Sequence, residues 1–178
     1  MPDPKVKLIA GVLYPDDGGE SEREKWFAWT LGKLEAIWGG HETTSSPEPF
    51  TATNYYQDIA PRLTRRFICF GGLAQAGDLP NWKRASIGIE AESRNPRIVN
   101  IDPGYVDGAR LVLASTKDHA HRVYLRDGIF AEVTMRFRFG KWTPFDYTFP
   151  DFASGVYDKF LSAARFAWLE EKRRTGQR

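Results

Sequence analysis

The sequence predicts an α+β fold built around a mainly antiparallel sheet. Strand-like and helix-like segments follow the order β-α-β-β-α-β, and a strand-rich stretch and a last helix come after them. Asp127-Gly128 separates two strand-like runs and is the strongest short hairpin signal in the chain. Aromatic residues make up 14% of the 178 residues, which supplies large side chains for a core and argues against disorder.

The first half of the chain predicts a strand, a helix and a second, edge-forming segment. Residues 5–14 predict a buried strand, apolar from Leu8 onward, which ends at a Pro-Asp-Asp-Gly-Gly turn. Ser21 and Glu24 form a capping box, and the helix that follows carries apolar residues at helical spacing until Gly39-Gly40. Residues 41–53 are polar and contain two prolines, so they predict extended chain or an edge strand.

The second half predicts further strands around one helix, and then a terminal helix. Residues 65–73 are strand-like, and Asp78 can cap a helix over 79–93. Short strands at 97–101 and 110–114 flank Asp102-Pro103-Gly104, which is a turn signal. Strands at 120–125 and 129–139 form the hairpin, and residues 141–147 add another strand. The terminal helix spans 152–174 with a buried stripe formed by Phe152, Val156, Phe160, Ala163 and Ala167. The first six elements have the order of a ferredoxin-like unit.

Length and composition predict one domain over residues 1–178 and exclude several classes of protein. Lys and Arg total 25 and Asp and Glu 23, so the net charge of +2 creates no broad field for a polyanion, and nucleic acid is not the expected partner. Cys69 is the one cysteine, which excludes an internal disulfide and a cysteine-rich zinc site. The first apolar run is too short for a membrane span, so we expect a cytoplasmic protein without a membrane partner.

Several motifs together resemble a known family. The central run contains Asn100-Ile101-Asp102-Pro103-Gly104-Tyr105, Leu113-Ala114-Ser115-Thr116-Lys117, His121-Arg122-Val123-Tyr124-Leu125 and Gly128-Ile129-Phe130-Ala131-Glu132-Val133-Thr134. Supporting pieces are Thr53-Asn54-Tyr55-Tyr56, Arg65-Arg66-Phe67 and Tyr147-Thr148-Phe149-Pro150-Asp151-Phe152. This pattern closely resembles the prokaryotic family catalogued as domain of unknown function 4416, although Asp58-Ile59-Ala60 departs from it. The resemblance implies one compact domain and brings no established activity.

The sequence lacks the phosphate-binding loop of GTPases, since its two near matches both lack the required final residue. Such a loop ends in Gly-Lys followed by Ser or Thr. Gly32-Lys33 is followed by Leu34 inside a helix, and Gly140-Lys141 is followed by Trp142.

The predicted hairpin brings a histidine and a carboxylate together. With a two-residue loop at Asp127-Gly128, His121 pairs with Thr134 and Glu132 lies diagonally from it on the same face. With a three-residue loop and a glycine bulge, Arg122 faces Glu132 directly as a cross-strand ion pair. His119 and His121 could also share a metal ion, with Glu132 or Asp102 as a third ligand. A polar site without metal and a purely structural role are the other interpretations, and we assign no metal ligand.

Further candidate residues surround this pair. Asn100 and Asp102 lie where a strand meets a turn, so Asp102 is either a fixed acid or base or a partner of nearby turn amides. Arg65 and Arg66 begin a strand, whose alternation sends one guanidinium to each face, where one could bind an anion.

The residues therefore predict a polar pocket on the central strands that binds a small anionic ligand, such as a nucleotide or phosphometabolite. In it His121 is the acid or base, Glu132 or Asp102 its carboxylate partner, and Lys117 and Arg122 bind the anion, with hydrolytic or transfer chemistry left open. Asn100, Arg65 and Arg66 complete the candidate ligand-binding set, and no cofactor is indicated. The alternative is a non-catalytic interaction module or homo-oligomer that docks through exposed aromatic side chains.

Overall fold

The computed structural model describes residues 3–16, 19–51, 56 and 59–176, and Glu22 by its backbone alone. Asp17, Gly18, residues 53–55 and Asp58, which the sequence places in a turn and in the family motifs, lie outside these residues. Within the described part the strands are β1 (Lys5–Pro15), β2 (His41–Thr44), β3 (Glu48–Phe50), β4 (Leu63–Phe70), β5 (Ala74–Gln75), β6 (Asn100–Val106), β7 (Arg110–Ser115), β8 (Arg122–Arg126), β9 (Ile129–Arg138) and β10 (Lys141–Pro144). The helices are α1 (Gly19–Trp38), α2 (Leu79–Ser93), α3 (Pro150–Ala153) and α4 (Asp158–Arg174).

All of these strands join one antiparallel sheet. Its main order is β10-β9-β7-β6-β1-β4-β2, with β3 paired to β4, β5 to β1 and β8 to β9. Helix α1 connects β1 to β2 along the chain, and these two strands flank β4 in the sheet. Helix α2 follows β4 and β5 and leads into β6, and β4 and β6 flank β1 in the sheet. These interlocked connections are the predicted β-α-β-β-α-β arrangement, and the α+β prediction is confirmed.

Strand β1 is central and is covered on both faces. Leu8, Ala10 and Val12 pack in the core that includes side chains of α1 and α2. Ile9 points the opposite way, because alternate residues of a strand face opposite sides, and packs in a second core with α3 and α4. Helices on both faces explain why this strand is almost uniformly apolar.

Strands β6 and β7 are paired over only part of their length. The ladder joins Gly104–Val106 to Leu111–Leu113, and it stops there. At Gly104 the two strands are so close that a Cβ atom would lie 2.2 Å from the carbonyl oxygen of Val112. Residues 100–103 of β6 pair with β1 alone, so they have one open side.

The predicted turn at Asp102-Pro103-Gly104 is wrong, because these residues lie inside β6. A proline is compatible with a strand where no neighbouring strand needs its missing donor, and the open side of β6 meets that condition. The actual turn between β6 and β7 is built on Asp107, whose Oδ1 accepts hydrogen bonds from the amides of Ala109 (2.7 Å) and Arg110 (2.9 Å).

The predicted continuous terminal helix is also wrong. The chain forms α3, breaks at Gly155, which has φ of 81°, and resumes as α4. The break changes the helical phase, so the buried face of α4 is formed by Phe160, Leu161 and Ala164, whereas Val156 and Ala163 are exposed.

The predicted helix starts need smaller corrections. Helix α1 begins at Gly19, so Ser21 lies inside it and does not cap it. Asp78 precedes α2 as predicted, but its carboxylate accepts a hydrogen bond from the Asn81 side chain (3.1 Å) and caps no backbone amide.

Candidate functional site

A cavity of about 300 Å³ lies on the face of the sheet that carries α3, beside the open side of β6. The strand residues that line it are Arg65 of β4, Asp102 of β6, Leu113, Ala114 and Ser115 of β7, Arg122 of β8, and Glu132 of β9. The other lining residues are Tyr56, Lys117, His119, Phe149 and Phe152. Most of the predicted site residues therefore meet at one concavity, because the separation of β6 from β7 leaves room above the sheet.

The β8–β9 hairpin has the two-residue loop of one predicted alternative and the Arg122–Glu132 pairing of the other. Asp127 and Gly128 both have positive φ (55° and 74°), and Arg126 pairs with Ile129, so the loop has two residues. The register then shifts between Tyr124 and Arg126, and Arg122 lies directly opposite Glu132. The bulge thus gives the cross-strand pair that a three-residue loop predicts.

Glu132 is a buried carboxylate that three side chains contact. Its Oε2 accepts a hydrogen bond from Arg122 Nε (2.9 Å) and lies 3.1 Å from His121 Nε2, while Oε1 accepts one from the Thr134 hydroxyl (3.0 Å). The Glu132 side chain is 6% exposed. Since both oxygens are engaged, Glu132 chiefly fixes the groups around it.

His121 contacts Glu132 but does not line the cavity. Its ring stacks on Tyr147 with centroids 4.2 Å apart, and the Tyr147 hydroxyl donates to the carbonyl of Val133 (2.8 Å). His119 lines the cavity instead, and the two imidazoles are stacked with centroids 5.7 Å apart. In the part of the chain that the structure describes, no group of three His, Cys, Asp or Glu residues is arranged to hold a metal ion.

Arg122 is held in place from two sides. Besides its bond to Glu132, its Nη1 donates to the Ser115 hydroxyl (2.8 Å) and to the carbonyl of Lys117 (3.1 Å). Arg122 therefore fixes the segment after β7 and also lines the cavity.

Arg65 and Arg66 point to opposite faces, as alternation predicts. Arg65 faces the cavity, pairs with Asp151, and stacks over the rings of Phe50 (4.4 Å) and Phe152 (5.4 Å). Arg66 donates to the carbonyl of Ser45 (2.8 Å) on the α1 side of the sheet and stacks over Phe27. Arg66 does not line the cavity, because its guanidinium is on the far side of the sheet, and its ligand-binding role stays a prediction.

Asp102 lies between the cavity and a second, smaller chamber of about 80 Å³. Its oxygens accept hydrogen bonds from Lys83 Nζ (3.0 Å) and Asn100 Nδ2 (2.9 Å). Burial alone would raise the pKa of Asp102, but the charges of Lys83 and Arg65 and these hydrogen bonds outweigh it and hold the pKa below its ordinary value. Asp102 is thus a fixed carboxylate. The turn-amide alternative does not apply, since the residue lies within a strand.

Asn100 lines the smaller chamber and not the main cavity. Glu90 of α2 lies beside it and accepts hydrogen bonds from the amide of Ile101 (2.7 Å) and from Arg97. Burial raises the pKa of Glu90 above its ordinary value in spite of the nearby Lys83 and Arg97. Helix α2 therefore reaches through the open side of β6 and supplies charged groups to this end of the site.

Sequence reasoning missed several lining residues. Phe149 and Phe152 enter the cavity because the terminal helix is broken, which the helical pattern did not indicate. Ser115 follows Leu113 by two residues and so shares its face of β7, a signal that alternation supplies once the strand is correctly placed.

Three comparisons and one geometric observation complete the description. No helix within the described ranges has the length and apolarity needed to cross a membrane. Searches of the curated proteins and of the solved structures give no match. A family model with the description "Domain of unknown function (DUF4416)" matches residues 4–168. This match spans every strand of the sheet and every lining residue of the cavity, and the chain therefore belongs to the family of domain of unknown function 4416.

Proposed function

We propose that the cavity binds a small anionic ligand of the size of a nucleotide or phosphometabolite. The observation that carries this is the placement of Arg65 and Arg122, two largely buried guanidinium groups that line the same concavity. Each is fixed by a carboxylate, Asp151 or Glu132, and a guanidinium held in this way binds phosphate or carboxylate with little loss of side-chain freedom.

The size and lining of the cavity support a ligand with both an apolar and an anionic part. About 300 Å³ is the lower end of the range for small-molecule sites. Phe149, Phe152 and Leu113 offer apolar surface, while Lys117 adds a third positive charge beside the arginines. A ring or short carbon chain against the phenylalanines, with its anionic group near the arginines, fits this division.

Binding is better supported than catalysis. Both oxygens of Glu132 already accept hydrogen bonds, and His121 does not line the cavity, so neither is placed to exchange a proton with a ligand there. Asp102 is the carboxylate that lines the cavity with part of its side chain exposed (23%). Hydrolytic or transfer chemistry stays a prediction.

The test is a thermal-shift screen followed by calorimetry. The panel contains nucleoside monophosphates, sugar phosphates, inorganic phosphate and dicarboxylates. A ligand at 100 times its Kd stabilises the fold by about 2.7 kcal/mol, which raises Tm by roughly 5–11 °C for a chain of this size. A panel without any shift at millimolar concentration overturns the proposal.

A matched pair of variants locates the site. Arg65→Lys keeps a positive charge beside Asp151 but loses the planar fork, so we expect affinity to fall at least about tenfold. Arg66→Lys, one residue away on the opposite face, leaves affinity unchanged. Equal effects of the two substitutions on binding would contradict this assignment.

The interaction-module alternative stays a prediction, and one observation favours it. Val123, Tyr124 and Leu125 of the edge strand β8 are 67%, 58% and 39% exposed. None of the tryptophans, all of which lie in the described residues, is exposed to that degree, so the aromatic docking surface that the sequence suggested is not built from them. Light scattering over a range of protein concentrations tests the association of two copies.

A further inference from the structure

The smaller chamber adjoins the ligand cavity and differs from it in chemistry. The two share Tyr56, Asp102, Ser115 and Lys117, so they adjoin along these residues. Only the smaller one is lined by Lys83, Glu90, Arg97, Asn100 and Thr116. The residues that line the smaller chamber and not the main cavity are nearly all polar, whereas the main cavity is also lined by Phe149 and Phe152.

Two cations of the chamber, Lys83 and Arg97, pair with anions of the protein. Lys83 Nζ donates to the carbonyl of Ile101 (2.6 Å) and to Asp102 (3.0 Å), and it lies 3.8 Å from Glu90. Arg97 pairs with Glu90. These two positive and two negative side chains balance each other, and Lys117, the third cation of the lining, lies on the boundary with the main cavity. A second anionic group that passes this boundary therefore gains little net attraction from the chamber.

Hydroxyl groups suit such surroundings. A hydroxyl donates one hydrogen bond and accepts others, so it can bond at once to a carboxylate such as Asp102 and to a donor such as Lys83. A water molecule takes up about 30 Å³ in the liquid, so 80 Å³ holds two to three groups of that size. The chamber therefore matches two neighbouring hydroxyl groups in both chemistry and volume.

We propose that the ligand of the main cavity carries a vicinal diol, which enters this chamber while the anionic group stays at Arg65 and Arg122. The ligand class is a phosphorylated sugar, either free or as the ribose of a ribonucleotide. This assignment rests on the proposed anion-binding function and adds which polar groups the ligand must carry. Asp102 and Asn100, on the boundary and in the chamber, then determine specificity for the diol.

Calorimetry with matched ligand pairs tests the diol. Ribonucleoside 5′-monophosphates are compared with their 2′,3′-dideoxy counterparts, and ribose 5-phosphate with 2,3-dideoxyribose 5-phosphate. Because a hydrogen bond to a charged group contributes about 1.5–3 kcal/mol, we expect each missing hydroxyl to weaken binding at least about tenfold. Tight binding of ribose 5-phosphate alone identifies the free sugar phosphate, and binding that needs the base identifies the nucleotide.

Variants connect the preference to the chamber. Asp102→Asn removes the charge that accepts from the diol, so we expect the affinity for the ribo ligand to fall about tenfold relative to the affinity for the dideoxy ligand. Thr116→Val, at a residue that lines the chamber and not the main cavity, is a milder second variant if Asp102→Asn fails to fold. We expect Thr116→Val to reduce the ratio of the affinity for the ribo ligand to the affinity for the dideoxy ligand about threefold or more.

The outcomes separate the two proposals. If ribo and dideoxy ligands bind equally and Arg65→Lys still weakens both, the diol inference is overturned and the anion site is kept. If no anion of the panel binds, the anion site itself is overturned, and if only dicarboxylates bind, the phosphorylated-sugar assignment alone is overturned. A ribo preference that persists unchanged in the chamber variants also overturns the assignment, because the diol is then recognised elsewhere.

Discussion

The pair formed by Glu132 and Arg122 provides the sharpest test of how the site is built. The two side chains are 6% and 9% exposed, and Arg122 Nε donates to Glu132 Oε2 over 2.9 Å. Replacing Glu132 by Gln removes the negative charge and keeps the shape, so the guanidinium remains buried without its counter-ion. Breaking a buried pair in this way costs about 3–5 kcal/mol.

This loss of stability corresponds to a large decrease in Tm. For a chain of this length each kcal/mol corresponds to about 2–4 °C in Tm, so Glu132→Gln lowers Tm by roughly 6–20 °C. Urea unfolding measured by fluorescence and circular dichroism gives the free energy directly. Adding Arg122→Met to Glu132→Gln removes the unpaired charge, and we expect the double variant to recover more than about 1 kcal/mol relative to the sum of the single changes.

The exposed pair of Lys33 and Glu92 is the control. Its atoms are 2.6 Å apart, but the side chains are 42% and 57% exposed, so Glu92→Gln changes stability by no more than about 1 kcal/mol. If Glu132→Gln costs no more than this control, the pair near the cavity is not shielded from water as the structure indicates. A strictly additive double variant would likewise refute the reasoning.

Three further predictions concern a backbone contact, a titrating group and a buried thiol. Gly104→Ala places a Cβ atom against the Val112 carbonyl, so we expect the variant to unfold or to lose several kcal/mol in urea titrations, as overpacked sites do. Gly32→Ala, in α1 with open space around it, gains about 0.5–1 kcal/mol. The folded-state pKa of Asp102 lies below the unfolded value, so its carboxylate adds stability above about pH 4 that is lost as pH falls through the folded pKa. Urea titrations must therefore show a cost of Asp102→Asn that is larger at pH 7 than at pH 3, and a cost independent of pH contradicts the linkage. Burial raises the pKa of Cys69 to about 12, so iodoacetamide at pH 8 modifies it after unfolding only, and mass spectrometry of the native protein checks this.

Local patterns were reliable where a few neighbouring residues determine the structure. The Asp127-Gly128 loop follows from two residues that tolerate positive φ, and the opposite directions of Arg65 and Arg66 follow from strand alternation. The predicted site grouped Asn100, Lys117 and Arg122 as ligand-binding residues with Asp102 as a catalytic carboxylate, and the structure places these four residues around two adjoining spaces.

Other features depend on contacts that a local pattern does not contain. Asp102-Pro103-Gly104 has the composition of a turn, yet β1 pairs with all three residues and holds them in a strand. The register shift near Leu125 places Arg122 opposite Glu132, and a single-sequence reading of the hairpin leaves that shift open. The break at Gly155 moves Phe149 and Phe152 towards the cavity, although the apolar spacing indicated one uninterrupted helix.

The unpaired stretch of β6 has a consequence for how the molecule can change. The space beside it is created by the main chain, where the ladder to β7 ends next to Pro103. Side chains such as Lys117 and His119, which line the cavity and belong to neither core, can therefore be exchanged while the framework persists. A library of substitutions at those positions would change which ligands the cavity binds, so the same fold could bind ligands of several chemical classes.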